Sequence, residues 1–102
     1  MNMDELRGRI DAVDDELLRC FAERMDIAGD IARYKAEHGL PVLDERRERE
    51  KLYAVSEKAP EELQSYAVSL YALLFELSRC YQNRLLGGDT ALTREIQTAM
   101  DE

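Results

Sequence analysis

The chain has 102 residues, with 14 Lys and Arg against 22 Asp and Glu and a formal net charge of −8. That length makes one domain with a modest core, and that charge excludes nucleic acid and anionic membrane as partners for the surface as a whole. Two Pro and five Gly, with a large share of Glu, Lys, Arg, Leu and Ala, predict an all-helical protein.

The first element is predicted to run from Met3 to about His38. It holds no Pro, and its only glycines are Gly8 and Gly29. One stripe recurs at alternating steps of four and three: Met3, Arg7, Ile10, Asp14, Leu17, Phe21, Arg24, Ala28, Ile31, Lys35. That spacing is the mark of a helix burying one seam against another. The stripe keeps its phase across Gly29, so one continuous helix is expected. About 36 residues span roughly 54 Å, whereas a compact chain of this length is only about 33 Å across. The helix overhangs any core its own chain can build, and a second copy related by a two-fold axis is the simplest cover.

His38-Gly39-Leu40-Pro41-Val42 ends that helix, with Gly at the left-handed position and Pro soon after. Asp44 then caps a second helix that runs to about Lys58, with Glu45 and Glu48 at its positive dipole end. Within the charge run Glu45 to Lys51, Glu45, Arg46, Arg49 and Glu50 read as a solvated face of i,i+4 pairs. Glu48 instead shares a face with Leu52 and Val55. Pro60 suits the first position of a third helix, predicted to end near Leu86 before Gly87-Gly88. Its apolar stripe is Leu63, Ala67, Leu70, Leu74, Leu77, Tyr81, Leu85. A neighbouring stripe, Tyr71, Phe75, Ser78, Gln82, turns polar in its last two members. Asp89-Thr90 can cap a short terminal helix carrying Leu92, Ile96 and Met100. The organisation expected is thus a domain over 1–88 and a tail over 89–102 that is a short helix or a linker.

No apolar run is long enough to span a membrane, and the opening Met-Asn-Met-Asp-Glu is not a secretory leader. A cytoplasmic location is therefore expected, with Cys20 and Cys80 as buried, reduced thiols. Phosphate-binding Gly-rich loops and Cys/His metal spacings are absent, and the single His38 makes a Ser-His-acid triad hard to build.

The chemistry lies in the cations of the first stripe. Arg24 and Lys35 are about three turns apart and point the same way, in positions where apolar residues belong. An unpaired buried cation costs several kcal/mol. Any one of Arg7, Arg24 or Lys35 can snorkel outwards or fix register; all three together call for an anion. Asp14 and Glu48 neutralise at most two. A small polyanion gripped by arginines satisfies the rest, with Ser78 and Gln82 adding neutral hydrogen-bond groups. Such a site suits catalysis by positioning and electrostatic stabilisation.

The ordered set Leu6-Arg7-x-x-Ile10-Asp11-x-x-Asp14-x-x-Leu17-Leu18, Ala22-Glu23-Arg24, Lys35, Pro41-Val42-x-Asp44-x-x-Arg47-Glu48 and Ser78-x-x-x-Gln82 resembles the all-helical AroQ class of chorismate mutase. The resemblance implies an intertwined homodimer of three-helix subunits. It also implies an isomerase of aromatic amino acid biosynthesis, the shikimate pathway, that rearranges chorismate to prephenate with no cofactor and no metal. By position, Arg24 would bind one substrate carboxylate and Arg7, reaching across the dimer, the other. Lys35 and Gln82 would donate to the ether oxygen. Glu48 would accept from the ring hydroxyl with help from the Asp44 backbone. Arg47 would orient Glu48, Ser78 would lie against a carboxylate, and Ile31 and Phe75 would be apolar walls. Arg79 departs from the pattern, being a cation where an apolar wall residue is usual.

Two rival readings remain at this level. An isochorismate pyruvate-lyase on the same fold would share the arginines, Lys35 and Gln82, but the members associated with that activity lack a carboxylate at the position of Glu48. A dimeric helical interaction module without catalysis would use the seam cations only to set register.

Overall fold

In the computed structural model, which describes residues 1–87 and 99–101, the chain forms α1 (Met3–Glu37), α2 (Glu45–Lys58) and α3 (Gln64–Leu85), with a 3-10 turn at Glu61–Leu63 before α3. There is no strand among the described residues, and no helix among them is long and apolar enough to cross a membrane. Gly88, the expected cap Asp89-Thr90, and Leu92 and Ile96 of the tail lie outside the described residues, while residues 99–101 are helical.

Local chemistry sets the helix ends. The Asn2 side chain accepts from the Glu5 N–H at 2.9 Å and so caps α1, which satisfies one of the orphan donors of the first turn. At the other end Gly39 takes φ +65°. Leu40 N–H then reaches back to Lys35 O at 2.8 Å and Gly39 N–H to Ala36 O at 3.4 Å. These are the paired bonds that close a helix through a left-handed glycine. Asp44 caps α2 by accepting from Arg47 N–H at 3.0 Å. Pro60 does not open α3. Its ψ of 143° is extended, and it caps the 3-10 turn instead, with α3 starting four residues later at Gln64.

The centre of the fold is α3. Both α1 and α2 pack on it and not on each other. On α1 the buried residues are Ala28, Gly29 and Ala32, all small, so the two backbones approach closely. A Cβ added to Gly29 would sit 3.2 Å from Leu85 Cδ1. Ala32 is fully enclosed at 0% exposure. Ala32→Leu should therefore overpack this crossing at a cost of about 1–3 kcal/mol, read as a lowered denaturation midpoint. An unchanged midpoint would mean that α1 and α3 are not in close contact there.

The rest of the apolar surface is poorly covered in the single chain. No large side chain among the described residues is fully buried. Every residue from Met3 to Cys20 is exposed, including Leu6, Ile10, Val13, Leu17 and Leu18. Cys20 is thus exposed rather than buried, because no other element among the described residues covers that half of α1; Cys80 is half-buried. On α3 the face most withdrawn from solvent is the mixed one, Phe75, Ser78 and Gln82. The purely apolar stripe leaves Leu63, Leu70 and Leu85 exposed. The molecule is correspondingly elongated, 54 × 37 × 21 Å with a radius of gyration of 16.4 Å, against about 13 Å for a compact chain of this size.

Candidate active site

Since α1 and α2 lean on α3 without touching, a gap is left between them. It is a hollow of about 410 Å³, a size suited to a small metabolite. Helix α1 supplies Arg24, Ala28, Ile31 and Lys35, four consecutive members of the stripe read from the sequence. Asp44 and the first two turns of α2 supply Arg47, Glu48 and Lys51; α3 supplies Phe75, Ser78, Arg79 and Gln82. Seven of the eight expected site residues therefore surround one space. The eighth, Arg7, lies beside Met3, Leu6 and Ile10 in a separate shallow depression. It is seventeen positions from Arg24 on one helix, about 25 Å away at 1.5 Å per residue, and cannot reach the hollow of its own chain.

The hollow is electropositive, with five cationic side chains against two carboxylates. Both carboxylates are engaged, Asp44 in capping α2 and Glu48 by Arg79, whose Nη1 donates to both carboxylate oxygens. Arg24, Lys35, Arg47 and Lys51 have no carboxylate partner among the described residues. Arg24 is steadied from below, its guanidinium carbon 5.7 Å from the centroid of the Phe75 ring, a cation–π arrangement. Lys35 donates to Val42 O at 2.9 Å. That bond ties the α1–α2 loop to the ammonium and leaves two of its three protons for a ligand.

Gln82 is buried, and its Nε2 donates to Ser78 Oγ at 3.0 Å. Its Oε1 is buried without a partner, which costs about 1–3 kcal/mol. Turning the amide over moves the missing partner from the oxygen to the nitrogen. Ser78 O–H then donates to Oε1, and Nε2 takes the place where Oε1 was orphaned. The two orientations have the same shape. In the second, Ser78 holds the amide with its N–H groups free to donate.

No catalytic nucleophile and base are paired here. His38 lies outside the hollow, stacked on Tyr34 at 4.0 Å and bonded to its carbonyl oxygen at 2.8 Å. What the arrangement offers is fixed positive charge and amide donors around a small space.

A family model described as chorismate mutase type II matches residues 6–83, a span that takes in Arg7 and every lining residue of the hollow. The chain belongs to the chorismate mutase type II family. A 4-amino-4-deoxychorismate mutase of Streptomyces venezuelae is 32% identical over 105 residues, covering 97% of this chain and 92% of its own. A chorismate mutase of Methanocaldococcus jannaschii is 27% identical over 84 residues, 80% of this chain and 85% of its own. The T-protein of Haemophilus influenzae is 39% identical over 44 residues, which is 43% of this chain and 12% of that protein. No solved structure matches at a comparable level.

Against the chorismate mutase pattern, one charged lining residue, Lys51, was not picked out by the sequence, and another, Arg79, was placed in the wall without its role. Lys51 sits one turn after Arg47 and Glu48, so its inward face was readable from their spacing. Arg79 was read as a break in an apolar wall, and instead it holds Glu48. Arg47, expected to orient Glu48, pairs with no carboxylate among the described residues, which frees it for a ligand.

Proposed function

We propose that this chain is a chorismate mutase that rearranges chorismate to prephenate without cofactor or covalent intermediate. The observation that carries this reading is the hollow itself. Arg24, Lys35 and Arg47 face one space with no protein carboxylate to balance them, and the Gln82 amide stands among them. A dicarboxylate supplies the missing charge. Arg24 grips one carboxylate, with Ser78 alongside and Arg47 closing the mouth. Lys35 and Gln82 donate to the ether oxygen as its bond to the ring breaks and negative charge collects there. A stronger hydrogen bond in the transition state than in the ground state is what lowers a barrier. Glu48 accepts from the ring hydroxyl.

The same reading makes the active molecule a homodimer. The uncovered apolar face of α1 and the exposed leucines of α3 need a partner, and a second copy running alongside in two-fold symmetry covers both. Arg7 of each chain then enters the hollow of the other and takes the second substrate carboxylate.

Purified protein given chorismate should consume it, followed as loss of ultraviolet absorbance, and should release no pyruvate from isochorismate. Absence of chorismate turnover at high enzyme concentration would defeat the proposal. The Streptomyces relative, similar over 97% of this chain, is named for 4-amino-4-deoxychorismate, so both compounds belong in the assay.

A pH signature follows from Gln82. A carboxyl in its place donates only when protonated, and the cations around it favour the carboxylate except in acid. Gln82→Glu should therefore be active in acid and lose activity as the pH rises, whereas the unmodified protein keeps its amide donor throughout. Full activity of the variant near pH 8 would remove Gln82 from the donor role.

A further inference from the structure

Glu48 is the carboxylate that the proposed function sets against the ring hydroxyl, while Asp44 caps the start of α2. It does not stand alone. Arg79 reaches from α3 to α2 and bonds both of its oxygens, with the two side chains only 29% and 25% exposed. A carboxylate has about four acceptor positions, and Arg79 uses two, so Glu48 can still accept from a ligand. The corner nevertheless carries no net charge. Beyond it stand Arg24, Lys35, Arg47 and Lys51, all positive.

We propose that Arg79 determines substrate specificity, by neutralising Glu48 so that this corner accepts a neutral ring hydroxyl and rejects an ammonium. The idea rests on the chorismate mutase reading and deepens it. An aliphatic amine is protonated near neutral pH. Placed against Glu48, it would compete with Arg79 for one carboxylate and add a further cation to a hollow already in positive excess. Like charges about 5 Å apart repel appreciably even at the effective dielectric of a partly exposed site. A hydroxyl meets no such penalty.

The test is the ratio of kcat/KM for chorismate over that for its 4-amino analogue, at neutral pH, in the unmodified protein, Arg79→Gln and Arg79→Lys. This ratio does not depend on what fraction of a preparation is folded. The unmodified protein should favour chorismate. Arg79→Gln, which keeps a donor and loses the charge, should shift the ratio toward the amine by about tenfold or more. Arg79→Lys, which keeps the charge, should hold the ratio close to its original value. Preference of the unmodified protein for the amine, or an unchanged ratio in Arg79→Gln, would overturn the assignment of Arg79 and leave the mutase reading intact. Turnover of neither compound by the unmodified protein would overturn both.

Discussion

Arg24→Ala is expected to lower kcat/KM for chorismate by about 10²- to 10³-fold while leaving the helices in place. Truncating one partner of a desolvated, hydrogen-bonded charge pair costs about 2–5 kcal/mol, and each 1.4 kcal/mol is about tenfold in rate. The fold should tolerate the change, because Arg24 makes no ion pair among the described residues. Its structural contact is the Phe75 ring, and removing a cation from among cations relieves repulsion. Part of the loss should appear in KM, since a carboxylate is gripped in ground and transition states alike. The remainder should appear in kcat, because a loosely held substrate seldom presents its ether oxygen to Lys35 and Gln82. Arg24→Lys should recover only part of the activity, for an ammonium cannot form the two parallel bonds of a guanidinium. Steady-state kinetics beside far-ultraviolet circular dichroism make the check. An Arg24→Ala protein that keeps its helicity and stays within about tenfold of full activity would place the carboxylate grip elsewhere.

What could be read from the chain alone was whatever a single helix encodes. The step of four and three that links Arg24, Ala28, Ile31 and Lys35 is local, so their common direction was visible before any neighbour was known. Gly39 and Asp44 likewise act within a few residues of themselves. Arg46 pairs with Glu50 and Arg49 with Glu45, as their spacing on an exposed face predicts, and that left Arg47 and Glu48 for the other side. Apart from Lys51, the unread features depend on how one helix lies on another. Arg79 and Glu48 are separated by 31 positions, and nothing in either segment says that α2 will cross α3 where they meet. On α3 the periodic pattern offered two adjacent stripes, and composition favours burying the leucines. The chain instead turns Phe75, Ser78 and Gln82 inward, because the small residues of α1 and the hollow lie on that side. Cys20 was misjudged for a related reason: its helical setting is apolar, but nothing among the described residues covers it.

Mixing two inactive variants should restore activity, and this is the sharpest consequence of placing Arg7 in a neighbour's hollow. Arg7 is about 25 Å from Arg24 along a rigid helix, so the two cannot serve one site in one chain. If each site takes Arg24 from one subunit and Arg7 from the other, Arg7→Ala and Arg24→Ala should each be nearly inactive as homodimers. In a mixed dimer, the chain carrying Arg7→Ala still has its own Arg24, and it receives Arg7 from the chain carrying Arg24→Ala. That site is complete, while the opposite site lacks both arginines. Random reassortment makes about half of the dimers mixed, each with one working site of two, so the mixture should reach about a quarter of the unmodified activity. The two proteins must be unfolded and refolded together, because a dimer built through its longest helices exchanges chains only when they come apart. Simple mixing of the folded variants then serves as the control and should recover little at first. Co-refolding that restores nothing, with mixed dimers verified by mass, would show that the dimer does not bring Arg7 to its neighbour's hollow or that Arg7 has no part in binding. Full activity of Arg7→Ala on its own would lead to the second of those conclusions directly.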